Sequence, residues 1–364
     1  MSALAISRQS EDLTAPLQGG VARREASFAD LLSDLSHSLD TAIAEIRDIN
    51  MNTKLLSLNA RIEAARAGAA GAAFGVVAQE MHDLSDKTAL AADSLKNETK
   101  RAIEEMSHVL RTKVRGTRLS DIALTNIDLI DRCLYERTCD VRWWATDQSV
   151  VDALNNPTPA ALRQASQRLG VILSAYTVYY DLVLCDMLGN VVANGRPLEY
   201  KSVGMQQAGE EWFREAATSR SGDEFGFQTA HRSRLVDGKL SLVYSCGVRE
   251  EGSANGKLLG VLGIVFNWEA LAQTIVTGAP IAEEEREATR CVIVDGDGTL
   301  LADSWGQQLQ ESLGLPAMHS IFAERKNFVT GDYRGEKCCI AHAQSPGFET
   351  YSTGWHSLLI QPMR

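Results

Sequence analysis

Asn59, Glu63 and Arg66 stand four and three residues apart, so on a helix they share one face and present an amide, a carboxylate and a guanidinium together. Such a face suits contact with another protein. The plainer alternative is a solvated face whose Glu63–Arg66 pair is worth roughly a few tenths of a kcal/mol. Groupings that do catalysis or hold metals are scarce. The seven histidines form no H-x-x-x-H and no Cys/His cluster, the serines show no G-x-S-x-G, and the seven cysteines include no C-x-x-C. Cys338 and Cys339 are adjacent in an expected strand and so point to opposite faces. The cysteines read as small buried residues in a reducing compartment, with redox sensing as the alternative. His231, Arg232 and Arg234 fall in an expected loop before a strand at Leu240, where they would receive an anion or simply be solvated. No catalytic residue, metal or cofactor is expected.

The elements that must position the Asn59 face are two helices meeting head to head. Leu32, Leu35, Leu39, Ala42, Ile46, Ile49, Thr53 and Leu56 alternate in spacings of three and four, as the a and d positions of a coiled coil do. Val77, Met81, Leu84, Thr88, Ala91 and Leu95 repeat the pattern. The seam then slips in phase and resumes at Ile103, Met106 and Leu110, as at a stutter. Between the arms, Ala67 to Ala73 contains Gly68 and Gly71, which let the backbone reverse. Narrow seams on an isolated pair are poorly covered, so the pattern predicts a homodimer forming an antiparallel four-helix bundle.

The strings LLSLNARIEAARAG and FGVVAQEM on either side of this turn resemble the cytoplasmic signalling tip of methyl-accepting chemotaxis receptors. The resemblance implies contacts with other chemoreceptor dimers, with a chemotaxis histidine kinase and with its coupling protein. It assigns those contacts to Leu55, Asn59, Glu63, Arg66 and Val76. The chain departs from the family pattern at Ala69, Ala72 and Ala73, where charged residues or glycine are usual, and at Arg61, which replaces an alanine.

A chain of 364 residues with 45% apolar side chains suggests two or three folded domains. The formal net charge of −11, with no basic patch, argues against nucleic acid as a partner. The longest apolar run, Leu258 to Phe266, is too short to span a bilayer and contains glycines, and the N-terminus has no signal-peptide pattern. The expectation is a cytoplasmic protein without membrane insertion. Residues 1–25, with Pro16 and Gly19-Gly20, read as a disordered tail, and 26–116 as the hairpin. A second long helix is expected from Gly116 to near Asn155-Asn156-Pro157, then a shorter one from Ala160 to Tyr176.

From there the period changes to that of strands. Leu182 to Asp186 followed by Gly189 to Ala193 repeats at Cys291 to Asp295 followed by Gly298 to Ala302, and in each copy an apolar strand ends at Asp and turns through Gly three residues on. Two antiparallel modules are implied, at about 175–275 and 288–364. A long helix with two such PAS-like sheets resembles the double Cache sensor family over about 118–364, on the motifs ALRQASQRLGVILSAYTVYYDLVLCDMLGNVVANG, EWFREA and GKLLGVLGIVF. The fold expected is α+β and multidomain, a coiled-coil hairpin followed by a double Cache unit at 117–364.

The resemblance implies a small-molecule ligand. In the first module Tyr179, Trp212, Phe213 and Tyr244 offer aromatic walls, and Arg232 and Arg234 offer a basic pair. Trp212 and Phe213 read equally as core. Glu210 and Val265 stand where amine-binding members carry arginine and aspartate, so recognition of an ammonium group is not implied.

Asp295-Gly296-Asp297-Gly298-Thr299-Leu300 also resembles the first motif of haloacid-dehalogenase-type phosphatases, in which one Asp is the nucleophile and the other an acid/base. Too little chain follows for the further strand–helix units such an enzyme needs, and the copy at Asp186 has the same turn without the second Asp. A hairpin turn is expected instead. Together these features predict a cytoplasmic chemoreceptor-like transducer that is not an enzyme. The alternative is an adaptor of receptor arrays with a Cache half that binds no ligand.

Overall fold

The computed structural model describes residues 2–309, 312–315 and 318–363, with side-chain environments from residue 31 onward. The chain divides into two units, Met1–Arg115 and Gly116–Arg364. Helix α1, Ser2–Arg66, is joined by a 3-10 turn, Gly68–Gly71, to α2, Ala72–Trp144. Helix α1 takes in residues 2–25, expected to be a tail, and runs through Pro16 and Gly19-Gly20 without a break.

The first unit is the hairpin. Its inward residues are Leu32, Ser36, Leu39, Ile43, Ile46, Asn50, Thr53, Ser57 and Ala64 on α1, and Gly71, Gly75, Ala78, His82, Ser85, Ala89 and Ala92 on α2. Much of this seam is small or polar. Ser85 Oγ donates to the Asn50 carbonyl at 2.9 Å, and Ser57 Oγ lies 3.3 Å from His82 Nδ1. Lys54 pairs with Asp86 at 2.7 Å, Lys96 with Asp40 at 3.3 Å, and Arg47 with Asp93.

Within one chain the predicted apolar seam is therefore used for half of its α1 positions and, from Val77 to Leu95, for none on α2. Leu35, Ala42, Ile49 and Leu56, with Val77, Met81, Leu84, Thr88, Ala91 and Leu95, are exposed on the single hairpin. The predicted stutter is absent as well. Lys96, Ile103 and Leu110 continue the inward heptad past Leu95, which belongs to the outer strip, and of the residues expected to resume the seam only Met106 departs, exposed while Ser107 is half-buried.

The two tip glycines do different work. Gly68 sits at φ +60°, a conformation that costs other residues about 1 kcal/mol or more. A Cβ on Gly71 would lie 2.2 Å from the Ala64 carbonyl oxygen, so the return helix can approach only with glycine there.

In the second unit, α2 ends at Trp144, earlier than expected, because the chain breaks at Ala145 to Asp147. Asp147 caps a new helix, α3, Gln148–Asn155, by accepting from the Ser149 amide at 3.0 Å. Thr158 caps α4, Pro159–Ala175, with Pro159 in its first turn. Gly116 is held close to the second sheet, since a Cβ there would meet the Phe328 ring at 2.2 Å.

Strands β1 Tyr179–Asp186, β2 Val191–Asn194, β3 Gly226–Ser233, β4 Lys239–Arg249 and β5 Leu258–Asn267 form one antiparallel sheet in the order β2-β1-β5-β4-β3. Helix α5, Glu211–Ala217, precedes β3, and α6, Trp268–Thr277, and α7, Glu283–Arg286, follow β5. Strands β6 Arg290–Val294, β7 Leu300–Asp303, β8 Lys326–Tyr333, β9 Glu336–Gln344 and β10 His356–Pro362 repeat the topology as β7-β6-β10-β9-β8, with α8, Met318–Phe322, before β8. The likeness reaches the register: both first hairpins carry an irregularity one step before their turn, at Leu184/Cys185 and at Ile293/Val294.

Both sheets bury both faces. Leu119, Ile127, Ile130, Leu134 and Val141 of α2 join Leu182, Leu184, Leu242 and Ile264 of the first sheet and Cys291, Ile293 and Leu359 of the second in one core. The opposite faces have separate cores, around Val183, Val243, Val261 and Val265 and around Val292, Val294, Ile340 and Leu358. Cys338 and Cys339 divide between two of these cores, as their adjacency in a strand requires.

Candidate functional site

At the hairpin tip, Leu55, Asn59, Glu63, Arg66 and Val76 are all exposed, and Glu63 Oε1 accepts from Arg66 Nη1 at 2.8 Å. Leu58, Ile62 and Phe74 are exposed beside them in sequence, with Phe74 at 73%. A polar triad accompanied by large apolar groups left in water is the composition of a contact surface. The extra apolar members lie between the last seam position of one arm, Leu56, and the first of the other, Val77, and so fall outside a heptad scan.

In the second unit the six ligand candidates fall in three places. Trp212 and Phe213, on α5, are buried among Val183, Val243, Val261 and Val265. Gly263 makes room for the indole, since a Cβ there would meet Trp212 Cζ3 at 2.8 Å, and Ser245 Oγ donates to the Trp212 carbonyl at 2.6 Å. Tyr179 and Tyr244 lie on the other face of the sheet. The Tyr179 hydroxyl donates to Asp140 of α2, and its ring packs edge-on against Trp144 and Phe266. The Tyr244 hydroxyl meets that of Tyr351 at 2.6 Å. Strand alternation accounts for Tyr244, which sits between Val243 and Ser245 and must face away from them, and the register irregularity between Tyr179 and Asp181 turns Tyr179 to the same face. Arg232 and Arg234 are exposed, in β3 and in the 3-10 turn Arg234–Val236, so His231 and Arg232 belong to an edge strand where a loop was expected.

The two Asp-x-x-Gly turns are the same object. Asp186 Oδ1 accepts from the amides of Leu188 and Asn190, both at 2.9 Å, and Asp295 Oδ1 accepts from those of Asp297 and Thr299 at 3.0 and 2.9 Å. In each case the carboxylate organises a hairpin turn.

Three polar groupings were missed by the sequence reading. Asp131, buried in α2, accepts from Ser345 Oγ, the Gly347 amide and Thr353 Oγ1 at 2.6, 2.8 and 2.8 Å, tying the helix to the loop before β10. A carboxylate inside the apolar stripe of Ile127, Ile130 and Leu134 was the available signal. Arg290 and Asp303 form a buried bidentate pair at the start of β6 and the end of β7. His342 Nε2 lies 2.7 Å from His356 Nδ1, with the Phe322 ring stacked on His356 at 3.8 Å.

Burial, with His356 adding to it, pushes His342 down to about 3, and burial also lowers His356. Both are held neutral in the fold, while in the unfolded chain a histidine takes up its proton near pH 6.5. The stability from this pair is therefore present above pH 6.5 and is lost as pH falls toward 3. Thermal unfolding followed by circular dichroism should show a falling Tm from pH 7 to pH 5, and His342→Gln should flatten part of that slope. An unchanged slope in the variant would assign the acid sensitivity elsewhere.

Comparison with known proteins gives two family matches: the methyl-accepting chemotaxis protein (MCP) signalling domain over residues 9–131, and the Cache domain over residues 75–364. Methyl-accepting chemotaxis protein Amb0994 of Paramagnetospirillum magneticum is 45% identical over 76 residues, 21% of this chain and 17% of the relative. Methyl-accepting chemotaxis protein HlyB of Vibrio cholerae is 35% identical over 99 residues, 27% of this chain and 17% of the relative. The chain thus spans 17% of the length of each of these curated relatives. Among solved structures, the ligand-binding domain of Campylobacter jejuni chemoreceptor Tlp3 in complex with 4-methylisoleucine aligns with a TM-score of 0.50 at 14% identity, covering 69% of this chain and 91% of that one. At that identity the likeness is one of fold.

Proposed function

The chain belongs to the Cache domain family and carries a methyl-accepting chemotaxis signalling domain, and from that premise we propose that it is a chemoreceptor-type signal transducer working as a homodimer. A small ligand in the Cache half changes the packing of α2, and the hairpin tip passes that change to other receptor dimers, to a chemotaxis histidine kinase and to its coupling protein. The observation that carries this reading is the outer heptad strip, Leu35, Ala42, Ile49 and Leu56 with Val77 and Leu84, which one chain leaves in water. A second hairpin would cover it and complete a four-helix bundle.

Cytoplasmic action is part of the proposal, supported by seven free thiols of the kind a reducing compartment maintains. Among the described residues no helix is long and apolar enough to cross a membrane. A second reading is favoured by Trp212, which fills the face of the first sheet: an adaptor that joins receptor arrays through its tip without sensing a small molecule.

Ile49→Lys combined with Leu56→Lys tests the dimer. Both side chains are exposed in the single hairpin, so the monomer should keep its helicity, while two charges in the bundle seam oppose association. Sedimentation should change from dimer to monomer, with association weakened by at least about 100-fold, the equivalent of roughly 2.7 kcal/mol. A variant that sediments as the wild-type dimer would remove the outer strip from the interface.

A further inference from the structure

A cavity of about 280 Å³ lies at the end of α2 against β4. Its walls include Cys139 and Arg142 of α2, Asp223 ahead of β3, Cys246 and Arg249 of β4, and Ser253. The turn before Ser253 is pinned to the end of α2, since a Cβ on Gly252 would lie 2.9 Å from the Thr146 carbonyl oxygen.

The two arginines are unusual for this unit. Arg249 is 7% exposed; its Nη1 donates to the Gly256 carbonyl at 2.9 Å and its Nη2 to the Ser219 carbonyl at 2.6 Å, while its buried Nε has no hydrogen-bond partner among the described residues. Arg142 is half-buried and also donates only to neutral acceptors: the Thr138 carbonyl at 2.8 Å, the Asp223 carbonyl at 3.4 Å, Thr138 Oγ1 at 3.4 Å and Cys139 Sγ at 3.6 Å. Neither guanidinium forms an ion pair among the described residues, whereas the buried Arg137 and Arg290 both do. A buried cation is normally paired, and in a chain of net charge −11 carboxylates are not in short supply.

The remaining walls add little negative charge. Asp223 is exposed, and its Oδ2 accepts from Ser221 Oγ at 3.1 Å, so the lining holds one carboxylate and two guanidinium groups. Burial pushes the Cys246 thiol up to about 11, and it stays neutral, directing its S–H toward the Gly222 and Glu224 carbonyls.

We infer that this cavity binds a small oxyanion, a carboxylate or phosphate of a few heavy atoms, held between Arg142 on α2 and Arg249 on β4. The volume is near the lower end for small-molecule sites, and a planar guanidinium suits both anions. The site is separate from the Trp212 face, and its occupant bridges the long helix and the first sheet. A role in signalling rests on the sensor reading above; binding does not.

The test is calorimetry and thermal unfolding of the full chain with inorganic phosphate and, separately, succinate, at ionic strength held constant with chloride. Saturable binding of at least one is expected, with a rise in Tm. Preference between the two identifies a phosphate or a carboxylate ligand. Arg142→Gln, which leaves the bonds of Arg249 in place, should weaken binding at least tenfold, and Arg232→Gln, outside the cavity, should not. No saturable binding of either anion to the wild type, or equal affinity in Arg142→Gln, overturns the site. Sedimentation of the same samples separates the outcomes: an intact dimer without anion binding removes the site and leaves the transducer reading standing.

Discussion

Trp212→Ala should destabilise the second unit by about 3–5 kcal/mol, a drop on the order of 10 °C in Tm for a domain of this size. The indole is 1% exposed and packs against the bare backbone of Gly263, while Ser245 Oγ holds its carbonyl. Truncation removes the apolar contact and leaves a cavity that the surrounding strands cannot close. Thermal and urea unfolding of the full chain would measure the loss. A cost below about 1 kcal/mol would instead describe a pocket wall that a ligand covers, the other role the sequence allows for this residue.

Asp303→Ala should cost about as much, 3–5 kcal/mol, for a different reason. Arg290 Nη2 and Nε donate to the two carboxylate oxygens at 2.7 and 3.0 Å, and the side chains are 2% and 0% exposed. Arg290 also donates to the Tyr333 hydroxyl, and its guanidinium lies 4.9 Å from the centre of the Trp305 ring. Removing the acid leaves a buried cation with too little compensation. Asp303→Leu with Arg290→Met should recover part of the loss, because an apolar pair avoids the desolvation of both charges. Recovery will be incomplete, since Asp303 also accepts from the amides of Trp305 and Gln307. If the double variant is no more stable than Asp303→Ala, the orphaned charge is not the cause.

The spacing of apolar residues was enough to locate the hairpin, because a heptad repeat is a property of sequence alone. It did not tell which half of the repeat faces the returning arm. Leu32, Leu39 and Ile46 do, Leu35, Ile49 and Leu56 do not, and the matching positions on α2 are Ala78, Ser85 and Ala92, which a scan for apolar residues passes over. The repeated sheet modules were legible through their Asp-x-x-Gly turns, which recur because the turn chemistry recurs. Placing Tyr244 beside Trp212 failed on strand alternation, a rule readable from residues 243–245 themselves, whereas Tyr179 shares the parity of Val183 and reaches the other face through the register irregularity between Tyr179 and Asp181, which no local pattern announces. The pairs Arg290–Asp303 and His342–His356, separated by 13 and 14 residues, come together only through strand pairing, and no local pattern announces them.

The central claim is that the hairpin tip acts on a chemotaxis kinase. Its direct measurement is the autophosphorylation rate of a chemotaxis histidine kinase with its coupling protein, with and without the full chain. Adding the wild-type chain should change that rate by at least about twofold. Arg66→Ala, which removes an exposed group from the tip and nothing from any core, should abolish most of the change. Equal rates with the wild-type chain, with the variant and with buffer alone would contradict the account.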